Sequence, residues 1–112
     1  MLPDKNRLAS NEFEVVKEKG RLSSYPHYSA VVYNRKDSLP SRFGFVVSTK
    51  VAKEASRRNR VKRAMRQAVR QSLSYIGSGY SVVFLAKPSI VKVYTNEIMI
   101  EGRNFLDEKL AK

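Results

Sequence analysis

Ser56-Arg-Arg-Asn-Arg-Val-Lys-Arg-Ala-Met-Arg-Gln-Ala-Val-Arg-Gln-Ser72 is the stretch on which the fold turns. At about 100° per residue, a helix over it sorts its side chains into two faces. Val61, Met65, Ala68, Val69 and Ser72, continued by Ile76, form one stripe that should pack on a sheet. Asn59, Lys62, Arg63, Arg66 and Arg70 gather on a neighbouring flank, with Arg58 and Arg60 in the first turn. Ser56 is a candidate cap, and Gly77 and Gly79 are candidate stops for a helix running to about Tyr75.

Strands are expected on both sides of this helix. Arg42-Phe-Gly-Phe-Val-Val47 precedes it, and the almost wholly apolar Tyr80-Ser-Val-Val-Phe-Leu-Ala86 follows it. Farther upstream, Tyr28-Ser-Ala-Val-Val-Tyr33 is rich in β-branched and aromatic residues. Asn34 to Ser41 holds Asp, Ser and Pro and reads as a hairpin loop pairing 28–33 with 42–47. A further short strand fits near Leu22. Ser10 is a candidate cap for a first helix from Asn11 to Lys19, ended by Gly20. Thr95 is a candidate cap for a last helix through Leu110, in which Gly102 is a weak point. The order is α-β-β-(β)-α-β-α with about four strands. That predicts an α/β fold of the α+β two-layer sandwich kind, in one domain over 1–112.

Charge narrows the function. Lys and Arg number 22 against 10 Asp and Glu, a net charge of +12. A polyanionic partner relieves such self-repulsion, and nucleic acid leads the candidates. A membrane surface fits less well, because no Trp marks an apolar helix face. No apolar run approaches a membrane span, and the opening Met1–Arg7 lacks the apolar centre of a secretory signal. A cytoplasmic location is expected. The chain has no cysteine, which excludes disulfides, zinc ribbons and thiol catalysis.

The charge is also concentrated. Lys50, Lys53, Arg57, Arg58, Arg60, Lys62, Arg63, Arg66 and Arg70 are nine cations, six of them Arg, with Glu54 the only acid among them. Lys62–Arg66 and Arg66–Arg70 repel at four-residue spacing, by ~0.2–0.5 kcal/mol each. A solvated helix face would interleave Glu. An Arg-rich flank suits phosphate, since the planar guanidinium donates two parallel hydrogen bonds. The open N–H groups of the helix N-terminus add to it.

These residues resemble a known signature. Ser48-Thr-Lys50, then Arg58-Asn59-Arg60-Val61-Lys62-Arg63 and Arg66, set between the two strands, is similar to the motif of the protein component of bacterial ribonuclease P. Asn6-Arg-Leu8, Glu12-Phe13 and Lys19-Gly20 resemble that family's N-terminal helix, so the likeness covers nearly the whole chain. It implies a four-stranded sandwich with a left-handed β-α-β crossover, a hand that general rules disfavour. It implies binding to a large catalytic RNA that carries the active site and Mg²⁺, and help in removing the 5′ leader of precursor tRNA. Arg58, Asn59, Arg60, Lys62, Arg63 and Arg66 would lie on that RNA, with Arg70 beside them on the flank. A cleft between the first helix and the sheet would take the single-stranded leader. Its matching positions are Phe13, Lys17, Val31, Tyr33, Ser48 and Lys50. Many relatives carry aromatics where Lys17 and Val31 stand here. No catalytic or metal-binding residue, no membrane and no obligate protein partner is expected of the chain itself.

Two other readings remain: a structural RNA module, such as a ribosomal or chaperone protein, and a protein-only nuclease. The latter needs a carboxylate cluster or a histidine constellation. His27 has no Asp or Ser partner in the sequence pattern, and Glu97, Glu101 and Glu108 read as a solvated helix side.

Overall fold

The computed structural model describes residues 2–112. Three helices and four strands form in chain order: α1 (Phe13–Lys19), β1 (Arg21–Ser24), β2 (Tyr28–Asn34), β3 (Arg42–Val46), α2 (Ala55–Ser72), β4 (Tyr80–Ala86) and α3 (Thr95–Lys109). The sheet order is β1-β2-β4-β3. β2 is antiparallel to β1 and β4, whereas β3 and β4 are parallel and joined through α2.

The expected hairpin between β2 and β3 is therefore absent, and the pairing of 28–33 with 42–47 is corrected. β4 lies between them. Ser81, Val82, Val83 and Phe84 are all buried, so this strand is covered on both faces and takes a central place. The loop after β2 must then pass the start of β4. Arg35 holds it there: its guanidinium donates to the Tyr80 carbonyl at 2.8 Å, to Ser81 Oγ at 2.6 Å and to the Pro40 carbonyl at 2.9 Å. It also pairs with Asp37 at 2.9 Å, which holds that carboxyl below its ordinary value. Gly79 stands against this loop at φ +86°, where a Cβ would meet the Asp37 carbonyl at 2.6 Å.

Strand alternation gives the sheet two apolar faces. Ala30, Phe43, Val82 and Phe84 face α2 and α3, and pack with Val61, Met65, Val69, Ile98, Phe105 and Leu106. On this side burial pushes the Tyr28 phenol above its ordinary value, with Tyr25 and Glu101 adding to it. Val31 and Val83 face the other way and are covered by Leu8 and Val16. α1 thus crosses the face opposite the main helical layer. Gly102, a weak point for α3 in the sequence, lies where α3 closes on α2. A Cβ there would be 2.9 Å from that of Ala68.

The three expected caps do not form. α1 is entered through a 3-10 turn at Ser10–Glu12, and the Glu12 carboxylate accepts the Ala9 N–H at 3.0 Å instead. α2 starts at Ala55, which puts Ser56 inside its first turn. Thr95 Oγ1 accepts a bond from Arg60 at 3.2 Å. α2 also stops at Ser72, short of Tyr75, because Ile76 leaves it to bridge Ala111 and the Gly77 N–H binds the Leu110 carbonyl.

Candidate nucleic-acid interface

Burial of Val61, Ala64, Met65, Ala68 and Val69 fixes the rotation of α2 about its axis. The flank read from the sequence consequently points outward. Asn59, Arg63 and Arg70 are exposed, and Lys62 and Arg66 are half-buried. Among the described residues, no carboxylate pairs with Lys62, Arg63, Arg66 or Arg70. α2 also has no side-chain cap, so N–H groups of its first turn stay open to an anion.

Arg58 and Arg60 differ from the rest. Arg58 Nη1 donates to the carbonyls of Ala52 and Lys53, at 2.8 and 2.7 Å, and fastens the link from β3 to α2. Arg60 donates to the carbonyls of Val91 and Val93, at 2.7 and 3.2 Å, and to Thr95. It clamps the segment between β4 and α3. Both guanidiniums hold the protein's own backbone, which sequence reading of the motif did not reveal. Ser48 and Lys50 are exposed in the link before α2, where the Val51 N–H turns back to the Ser48 carbonyl at 3.0 Å.

Phe13 lies over Gly44 of β3. A Cβ on Gly44 would come within 2.4 Å of the Phe13 ring, so the glycine makes the seat for the aromatic. Beside this contact is a cleft of about 300 Å³ lined by Leu2, Arg7, Leu8, Phe13, Phe43, Gly44, Phe45 and Arg66. The Arg66 guanidinium stands 6.0 Å from the centre of the Phe45 ring, a cation–π contact. Arg66 of the basic flank and Phe13 of the first helix therefore line one cavity. Arg7 and Phe45 join them. Neither Arg7 nor Phe45 is among the cleft positions that the resemblance implies. The Gly44 between two phenylalanines was the available signal. Glu12 pairs with Arg42 at 2.6 Å and ties the start of α1 to the same strand.

The other cleft positions divide. Lys17 is exposed on α1. Val31 is 5 % exposed and belongs to the packing beneath α1. Tyr33 is half-buried at the edge of that packing and lines a different cavity from Phe13.

Neither nuclease reading gains a site. His27 Nδ1 lies 3.0 Å from Ser89 Oγ, which itself donates to the Pro26 carbonyl, a loop clasp with no carboxylate. Among the described residues, no group of three His, Cys, Asp or Glu stands close enough together to hold a metal ion. No helix among them is long and apolar enough to cross a membrane.

Comparison with known proteins gives one answer. The family model described as Ribonuclease P matches residues 2–109. A ribonuclease P protein component from Pseudanabaena is 35% identical over 107 residues, covering 95% of this chain and 92% of that protein. One from Fusobacterium nucleatum is 36% identical over 83 residues, covering 73% of each. The RNase P protein of Staphylococcus aureus superposes with a TM-score of 0.84 at 22% identity, over 96% of this chain and 98% of that one. That of Thermotoga maritima gives 0.79 at 22% identity, over 91% and 96%. The basic helix between parallel strands and the match along the whole sequence agree: the chain belongs to the ribonuclease P protein family, the protein subunit of the endoribonuclease that removes the 5′ leader of precursor tRNA.

Proposed function

We propose that the two surfaces divide the work of that subunit. The flank of α2 formed by Asn59, Lys62, Arg63, Arg66 and Arg70 grips the RNA subunit, and the Phe13–Gly44 cleft holds the leader of the precursor tRNA. Arg66 carries this reading, because it lines the aromatic cleft while standing on the basic flank. A strand leaving the RNA surface would meet Phe13 and Phe45 next. Unpaired bases stack on such rings, and the cations of Arg7 and Arg66 face the phosphates between them.

The chemistry of this role is positional. The flank lowers repulsion between two polyanions that must lie side by side. The cleft fixes one end of the substrate relative to the other. Mg²⁺ belongs mainly to the RNA subunit, where it would supply the activated water and stabilise the leaving oxygen. Arg58 and Arg60 act on the RNA chiefly by shaping the surface, with Ser48 and Lys50 exposed at the same end of α2. Precursor tRNA and the RNA subunit suffice as partners, in the cytoplasm, with no obligate protein companion.

The test is leader removal by the RNA subunit at low Mg²⁺, with and without the protein. Faster removal with protein is expected. If about six phosphates are neutralised, log affinity falls with log salt at a slope of roughly −4 to −5. No gain in processing would move the chain to a structural RNA-binding role, and a flat salt response would count against binding of RNA phosphates by this flank.

A further inference from the structure

Leu2 and Arg7 line the Phe13 cleft, whereas Pro3, Lys5 and Asn6 between them line another cavity, of about 700 Å³. No residue is common to the two linings. The size falls within the ~300–1,000 Å³ of small-ligand sites. Asn6 is its distinctive member. It is 6% exposed, and its Nδ2 donates to the Ser41 carbonyl at 2.8 Å. Its Oδ1 is buried and has no partner among the described residues. Ser41, equally buried, has no such deficit: its Oγ donates to the Gly77 carbonyl at 2.6 Å and accepts the Tyr80 N–H at 3.1 Å. Around Asn6, Pro3, Pro40, Leu73 and Ile76 supply apolar wall. Lys5 and Lys112 are exposed and pair with no carboxylate among the described residues, and no acid lines the cavity.

A buried acceptor without a donor is costly, so a ligand N–H that reaches it gains more than one on open surface. A flat ring with an N–H edge, carried beside an anion, meets the acceptor, the apolar wall and the two ammonium groups together. That is the chemistry of an unstacked nucleotide, whose base is read at its edge in a pocket. We propose that this cavity takes one such nucleotide, its base donating to Asn6 Oδ1 and its phosphate lying at Lys5 and Lys112. Leu73 directly follows α2 and comes three residues after Arg70, about 4.5 Å along the axis. The cavity thus begins where the basic flank ends, which favours a nucleotide of the RNA subunit over a free one. That choice of source rests on the flank reading above; the site itself does not.

The test is chemical probing of the RNA subunit with and without the protein, read at the base edge and at the ribose. With the protein, one nucleotide should turn reactive at its 2′-hydroxyl, as an unstacked residue does, and become protected at its base edge. Asn6→Ala should remove that protection and weaken binding about three- to tenfold, while protections along the flank stay. Ser78→Tyr, which fills the cavity from an exposed position, should do the same. Lys5→Ala with Lys112→Ala should flatten the log–log salt slope by about 0.7, one single-strand phosphate. In a second arm, CMP and AMP are titrated into the protein alone and its amide NMR spectrum is followed. Shifts at Gly77 and Ser78 that Asn6→Ala abolishes, without a protected nucleotide in the RNA subunit, would assign the site to a free nucleotide. Silence in both arms would overturn the proposal, as would a base-edge protection that both cavity variants leave intact. Should Asn6→Ala fail to fold by circular dichroism, Ser78→Tyr decides alone. Arg63→Ala separates the two readings: unchanged flank protections there would break the flank and leave the arms of the cavity standing.

Discussion

Arg60 and Arg63 stand three residues apart on one helix and differ in every physical respect except charge. Arg60 is half-buried and meets two carbonyls and a hydroxyl of the segment before α3. Arg63 is exposed and has no carboxylate partner among the described residues. The motif reads them alike, yet one holds the protein's own backbone and the other faces outward. One arginine motif therefore supplies both a clamp on the protein's own backbone and an outward-facing cation. The direction of each side chain depends on what lies across from it, not on its spacing.

Several substitutions would break or sharpen this contrast. The largest effect is expected from Val69→Asp, on the fully buried stripe that both arginines presuppose. An unpaired charge there should cost more than about 4 kcal/mol and abolish the cooperative thermal transition. If a normal transition survived, the assigned rotation of α2 would be wrong. Next is Arg60→Ala, which should lower unfolding free energy by about 2 kcal/mol in urea titration. Arg60→Lys should recover little of it, since one ammonium cannot reproduce the fork. Equal stability of the two arginine variants Arg60→Ala and Arg63→Ala would erase the contrast.

Gly44→Ala comes third. It should displace the Phe13 ring and reduce affinity for the leader about tenfold, while binding of the RNA subunit holds. A matched loss in both assays would merge the two surfaces. Arg63→Ala should follow, with stability shifted by less than about 0.5 kcal/mol and the salt slope of RNA binding reduced by about 1. The smallest effect concerns acid. The Asp37 carboxyl is held below its ordinary value of 3.8 by the hydrogen bond from Arg35. Its contribution to stability is thus complete above that value and fades as the pH falls through the lower folded one. Asp37→Asn should flatten the acid limb of a stability profile slightly. A steeper limb would contradict the sign.

Much of the candidate site was legible because it lies on one helix. Six arginines without interleaved acid, opposite an apolar stripe, define both a buried face and an outward flank from periodicity alone. Phe13 was legible as an aromatic on a short amphipathic helix. Its seat was not, because Gly44 is 31 positions away and only the folded chain brings them together. The same limit separated Tyr33 from Phe13. Both are aromatics at the α1 face of the sheet, but Phe13 stands at the start of α1 and Tyr33 lines a cavity with Lys19 at its end, so each has its own cleft. The position of Lys109 beside Lys19 was equally invisible, since it depends on where α3 ends.

Local pattern by itself determined the helices, the strands and the chemistry of the α2 flank. Periodicity and composition act over a few residues, and no distant contact can reverse an apolar stripe of that length. Tertiary structure alone decided that β4 separates β2 from β3. Neighbouring segments would pair by default, but a strand apolar on both sides must be covered on both, and that requirement outweighs proximity in sequence. It also decided which arginines of one motif bind the protein and which face outward. A carbonyl 31 residues away, at Val91, is the partner that Arg60 meets and Arg63 does not.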